Sequence, residues 1–124
     1  MNERCVMAKK ILVVDDDPNV VYYLVGLFHD HGYETCSAAN ASEAFEVMQR
    51  EKPDLMTLDI DMPEVTGPQF YRKYTKMDEF KDIPVVVVSG LAKPHLAIKK
   101  AVAVVEKPFD RDELLKIVRD NIGG

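Results

Sequence analysis

Four apolar runs in this chain each stop on a residue with chemistry to offer, and that repeated ending constrains the fold more than composition does. Ile11-Leu12-Val13-Val14 stops at Asp15, Asp16 and Asp17; the run through Leu55-Met56-Thr57-Leu58 stops at Asp59; Pro84-Val85-Val86-Val87-Val88 stops at Ser89-Gly90; and residues 102–105 lead into Lys107. Unbroken aliphatic runs of this length fit strands covered on both faces, because a strand with one wet face alternates instead. In open α/β sheets the strand C-terminal ends share one edge, where helix N-termini also converge and ligands bind. Four such endings bring Asp15, Asp16, Asp59, Ser89 and Lys107 to one edge.

The segments between the runs read as helices. Asp17-Pro18 offers an N-cap followed by a proline at the first helical position, where a missing N–H costs nothing. Val21, Leu24, Val25 and Phe28 supply that helix with an apolar stripe, and Gly32 closes it. A short strand is expected over Tyr33 to Ser37. Asn40 with Glu43 reads as a capping box for a second helix that buries Ala44, Val47 and Met48 and ends before Pro53. A third helix follows Gly67, with Phe70 and Tyr74 on one side. The run ending in Val88 is the most apolar, which places it at the centre of the sheet. Leu91 to Lys100 leaves room for a short helix at most. Asp110 with Glu113 reads as a second capping box for a final helix through Ile122. Tyr22, Tyr23, Phe70, Tyr71 and Phe109 are expected to be core or half-buried, and His29, His31 and His95 to lie on the surface.

Strands alternating with helices imply an α/β fold: a doubly wound, five-stranded parallel sheet with helices on both faces, of flavodoxin-like type. A chain of 124 residues fits one domain. Residues 1–8 have no periodicity and read as a flexible arm, leaving 9–124 as the domain. The formal charge of −5 argues against direct nucleic-acid binding. No apolar stretch approaches the ~20 residues that a bilayer requires, and the N-terminus lacks a signal-peptide core, so a cytoplasmic protein is expected. Cys5 and Cys36 form neither a metal-ligand pattern nor a disulfide framework.

Asp15, Asp16 and Asp59 in proximity repel one another and call for a positive charge among them. Hard oxygen ligands that leave positions to water and phosphate suit Mg²⁺. Lys107 adds a compact charge and Ser89 a hydroxyl, while Gly90 keeps the approach open. Carboxylate, metal, lysine and hydroxyl around one loop fit phosphoryl transfer, with a carboxylate accepting the group as an acyl phosphate.

The motifs ILVVDDDP, LDIDMPEVTG, VVVVSG and EKPF, in this order and spacing, make the chain from Lys9 to Ile122 resemble the receiver domain of two-component response regulators. The resemblance implies a stand-alone switch whose phosphoacceptor is Asp59, supplied by a histidine kinase or histidine phosphotransfer protein. It implies Mg²⁺ bound by Asp16, Asp59 and the backbone carbonyl of Asp61, with Asp15 acting through water. Ser89 becomes the switch hydroxyl, Lys107 the phosphoryl partner and Pro108 a cis-proline. Such a protein is not an enzyme in the ordinary sense, but a phosphoacceptor that assists its own phosphorylation and dephosphorylation. It would signal to a downstream protein, as a monomer or weak homodimer, without contact to membrane.

Two departures stand out. The family's switch aromatic, three residues before the lysine, is replaced by Val104. The interval from Ser89 to Lys107 is about one helical turn short, so the helix between them is expected to be shortened. Two rivals share the residues: a phosphorylation-independent interaction module on the same fold, and a haloacid-dehalogenase-type phosphatase with Asp15 as nucleophile, traced through Asp15, Asp17, Ser89 and Lys107.

Overall fold

A computed structural model describes residues 8–59, 67–89, 103–106 and 110–123. Five strands are present: β1 (Lys10–Val14), β2 (Glu34–Ala38), β3 (Leu55–Leu58), β4 (Val85–Ser89) and β5 (Ala103–Glu106). Helices α1 (Pro18–Asp30), α2 (Ala41–Glu51), α3 (Gly67–Tyr74) and the C-terminal α4 (Arg111–Ile122) complete the described elements. The helix expected between Leu91 and Lys100 falls outside the described residues.

All strand pairs are parallel, in the order β2-β1-β3-β4-β5. The centre is therefore β3 and not β4, a correction to the sequence expectation. Val85 to Val88 are buried all the same. Unbroken apolarity records that both faces are covered, and a strand beside the edge meets that condition as well as a central one.

Because successive strand residues point to opposite faces, the sheet sorts its side chains into two cores. Leu12, Val14, Met56, Leu58, Val85 and Val87 pack with Val47 and Met48 of α2 and Phe70 and Tyr74 of α3. Ile11, Val13, Leu55, Val86, Val88 and Val105 pack on the other side with Leu24 and Phe28 of α1 and Leu114 and Val118 of α4. Three aromatic rings tighten the first core: Phe45 lies 4.8 Å from Phe70, and Phe70 5.4 Å from Tyr74, centroid to centroid.

Helix starts follow the sequence closely. Asp17 caps α1 by accepting from the Asn19 amide at 2.9 Å, with Pro18 in the first turn. Asn40 accepts from the Glu43 amide at 2.9 Å, and Glu43 reaches back to the Ala39 amide at 2.6 Å, closing the capping box. Asp110 accepts from the amides of Asp112 and Glu113 at 2.8 and 3.2 Å; the structure gives this cap its forward half. At the C-terminal end of α1 the chain turns through His31, and Gly32 takes φ +91°, a backbone region open to glycine at little cost.

Three other expectations shift. Strand β2 runs one residue later than expected, Glu34–Ala38. On α1 the buried stripe is Leu24, Leu27 and Phe28, with Val21 and Val25 half-buried. Tyr22 and Tyr23 are not packed: they are 84% and 48% exposed. At 100° per residue both lie on the side of α1 away from Leu24 and Phe28, so the helix turns them to solvent. Phe70 is buried and His29 and His31 are exposed as expected, whereas the Tyr71 side chain, Phe109 and His95 fall outside the described parts of the chain.

Candidate functional site

Topology places the acids. From β1 the chain passes to β2 on one side and returns to β3 on the other, so a crevice opens between the C-terminal ends of β1 and β3. Val14 is in register with Leu58, and the next residue on each strand is Asp15 and Asp59. Backbone bonds carry the alignment one step past the strands. The Asp59 amide donates to Val14 O at 2.9 Å and the Asp15 amide to Ala38 O at 3.1 Å.

Carboxylate oxygens of Asp15, Asp16 and Asp59 all lie within 4.8 Å of one another. Asp15 and Asp59 are 2% and 6% exposed, while Asp16 faces solvent. Asp15 is further fixed by the Asp17 amide, which donates to its Oδ1 at 2.9 Å. At that separation two ionised carboxylates repel by about 1 to 3.5 kcal/mol as the effective dielectric falls from about 80 to about 20. Burial of two of the three moves the pair toward the upper figure.

The donor set fits a hard divalent cation. Three carboxylates supply oxygen, and no histidine or cysteine joins this group among the described residues. Octahedral Mg²⁺ holds its ligands at about 2.0–2.1 Å, which puts opposite oxygens about 4.2 Å apart. Oxygens within 4.8 Å of one another are close enough to serve one such ion.

Ser89 ends β4 and is paired with Glu106, the residue before Lys107. The backbone of Ser89 and of Val104, in β5, therefore belongs to the sheet, while their side chains fall outside what the structure describes. Asp61, Gly90, Lys107 and Pro108 lie outside the described residues altogether. The structure thus brings together Asp15, Asp16 and Asp59 of the expected set.

One feature of the site was missed from sequence. A groove runs from Asp15 and Asp16 along α1, walled by Val21, Tyr22 and Val25 on one side and by Ser37 and Glu43 on the other. The signal was available in the spacing: Tyr22 and Tyr23 fall off the apolar stripe of α1.

Known proteins share this fold. The response regulator receiver domain family matches residues 11–119. Protein Rrf1 of Nitratidesulfovibrio vulgaris is 38% identical over 112 residues, which span 90% of this chain and 81% of that protein. Sporulation initiation phosphotransferase F of Bacillus subtilis is 31% identical over 117 residues, 91% of this chain and 93% of that protein. Among solved structures, the Vibrio cholerae chemotaxis protein CheY4 superposes with a TM-score of 0.85 at 27% identity, covering 92% of this chain and 98% of its own. The chain belongs to the response regulator receiver domain family, the phosphorylation-activated switches of two-component signalling. Receiver domains are signalling phosphoacceptors that interact with histidine kinases or phosphotransfer proteins. No helix among the described residues is long and apolar enough to cross a membrane.

Proposed function

We propose that Asp59 is the phosphoacceptor of this receiver and that Asp15 and Asp16 hold the Mg²⁺ its phosphorylation requires. A carboxylate oxygen of Asp59 attacks phosphorus on a donor phosphohistidine. The new P–O bond gives an acyl phosphate, while the bond to the imidazole nitrogen breaks and that nitrogen keeps the electron pair. Asp16 and Asp59, with the carbonyl of Asp61, would hold the metal directly, and Asp15 would act through water. When bound, the metal neutralises charge on the phosphoryl oxygens. Ser89 and Lys107 take up those oxygens afterwards, with Gly90 leaving room for their approach. The phosphoryl group adds about −1.5 to −2 charges to this edge, and new bonds to Ser89 and Lys107 couple that charge to the chain beyond β4 and β5. With Val104 in place of an aromatic ring, the coupling runs through backbone and hydroxyl movement and not through a ring swing.

The observation that carries this reading is the cluster of oxygens within 4.8 Å at the β1–β3 crossover, with Asp59 at its buried side. The phosphodonor is a histidine kinase or histidine phosphotransfer protein, and the recipient of the signal is another protein. Residues 9–124 act as one domain in the cytoplasm, preceded by the arm 1–8.

Intact-mass measurement after incubation with acetyl phosphate, with and without Mg²⁺, tests the assignment. The expected result is one phosphoryl adduct that needs Mg²⁺, is absent in Asp59→Asn and is slowed in Asp15→Asn. An adduct that survives Asp59→Asn and disappears in Asp15→Asn would assign the nucleophile of a haloacid-dehalogenase-type site. Absence of any adduct would leave a phosphorylation-independent module.

A further inference from the structure

Asp17 is the third acid of the Asp15-Asp16-Asp17 run, and its carboxylate lies outside the cluster that Asp15, Asp16 and Asp59 form. It is engaged with the helix instead, accepting from the Asn19 amide at 2.9 Å as the N-cap of α1. Asp17 O is bound into the same first turn, accepting from the amides of Val20 and Val21 at 3.1 Å each. Its N–H turns back to the site and donates to Asp15 Oδ1 at 2.9 Å.

One residue thus joins a helix to a carboxylate. Pro18 restricts the residue before it to extended backbone, and Asp17 takes φ −90° and ψ 110°. With its carbonyl and its side chain both held by α1, that backbone keeps its N–H toward Asp15. The hold matters because the terminal torsion of an aspartate is broad and weakly restrained on its own. The Asp15 amide is fixed to the sheet through Ala38 O at 3.1 Å, but that bond does not reach the carboxylate. The Asp17 amide does: the Asp15 carboxylate cannot turn about its Cβ–Cγ bond without giving up a charge-assisted hydrogen bond.

We infer that Asp17 is a positioning residue for the metal site: its side chain, by capping α1, fixes its own amide on Asp15 Oδ1 and so sets the direction in which Asp15 serves the cation. The inference rests on the proposed function, in which Asp15 acts toward Mg²⁺ through water. It gives this exposed acid a role that needs its oxygen and not its charge. Groups that orient metal ligands in this way typically carry about 10- to 100-fold in metal affinity. The haloacid-dehalogenase-type alternative, which draws the Asp17 carboxyl into the reacting site, needs the acid itself.

Mg²⁺ titration of the full chain, followed by amide NMR, tests this in wild type, Asp17→Ala, Asp17→Asn and Asn40→Ala. In EDTA, before the metal is added, the residue 17 amide proton should lie downfield in wild type and Asp17→Asn, as a bond to a carboxylate requires, and should move upfield in Asp17→Ala. Asp17→Ala should then weaken Mg²⁺ binding about tenfold. It should raise by the same factor the Mg²⁺ needed for half-maximal phosphorylation by acetyl phosphate, while the rate at saturating Mg²⁺ stays near that of wild type. Asparagine caps a helix as well as aspartate does, so Asp17→Asn should keep both quantities near wild type. Asn40→Ala uncaps α2 instead; it should lower the melting temperature as Asp17→Ala does and leave Mg²⁺ affinity unchanged. Equal loss of affinity in Asp17→Asn would make charge the operative property and overturn the inference, and equal loss in Asn40→Ala would overturn it by reducing the effect to stability. Phosphorylation abolished in Asp17→Asn with affinity retained would move Asp17 into the reacting site, again against the inference. Unchanged affinity in Asp17→Ala, with the wild type still binding Mg²⁺ and phosphorylated on Asp59, would overturn the inference and leave the proposed function standing. A wild type that binds no Mg²⁺ would overturn both.

Discussion

At the N-terminal end of β1, Lys10 Nζ stands 2.7 Å from Glu51 Oε1 and 3.8 Å from Glu34 Oε1. Its amide donates to Asp54 Oδ2 at 2.9 Å, and the Asp54 amide returns a bond to Lys10 O at 2.8 Å. At the other end of the same strand, three carboxylates share a space of 4.8 Å. One end holds opposite charges in contact and the other holds like charges together. The first arrangement stabilises the fold by itself. The second is a cost that the fold sustains through the backbone bonds of Asp15 and Asp59, and under the proposed function a bound cation would offset it. An ion pair and the proposed metal site thus occupy opposite ends of a strand that spans five residues.

Breaking the strand between the two ends should give the largest effect. Leu12 is fully buried at its middle, and Leu12→Ala should cost about 2–5 kcal/mol by chemical denaturation, lowering both ends together. Asp54→Ala removes the carboxylate that accepts from the Lys10 amide and should cost about 1–3 kcal/mol, with Mg²⁺ binding retained because the acid end is untouched. Asn40→Ala uncaps α2 beside the acid edge and should cost about 1 kcal/mol. A thermal melt reads it, and again the metal response should persist.

Glu51→Gln is the smallest change and the one that carries a pH signature. The hydrogen bond from Lys10, then that from Arg50, holds the Glu51 carboxyl below its ordinary 4.5. A lowered carboxylate stabilises the fold above its unfolded-state value, and the contribution disappears as pH falls through the folded value. The gap between wild type and Glu51→Gln should therefore be full at neutral pH and close below about pH 4.5. Lys10 is raised above its ordinary 10.5, chiefly by the same bond to Glu51. Its share should be lost as pH climbs past that range. A gap that stayed constant from acid to neutral pH would remove the ion pair from the account.

Much of this contrast was legible in the sequence. Strand endings at Asp15 and Asp59 follow from apolar runs that stop abruptly, and the N-caps at Asp17, Asn40 and Asp110 follow from local chemistry within a few residues. Position in the sheet was not legible. The run ending in Val88 is as apolar as a central strand, and apolarity counts covered faces without saying which neighbours cover them. The exposure of Tyr22 and Tyr23 follows from their angle around α1 and not from residue type, and the exposed Gly26 marks the same outward face. The paired end was overlooked for a different reason: Lys10, Glu34, Glu51 and Asp54 come from four separate elements or loops, and only the register of β1 with β2 and β3 brings them together.

The most direct test of the contrast is the melting temperature of wild type and Asp16→Asn, each in EDTA and in millimolar Mg²⁺. Asp16 is exposed, so the substitution removes one of three like charges while leaving the buried carboxylates in place. In EDTA the variant should melt higher than wild type, by the few degrees that about 1 kcal/mol represents in a domain of this size. Mg²⁺ should raise the wild type and leave the variant nearly unchanged, closing or reversing the order. A variant no more stable than wild type in EDTA, with both raised equally by Mg²⁺, would contradict a like-charge site held in wait for a cation.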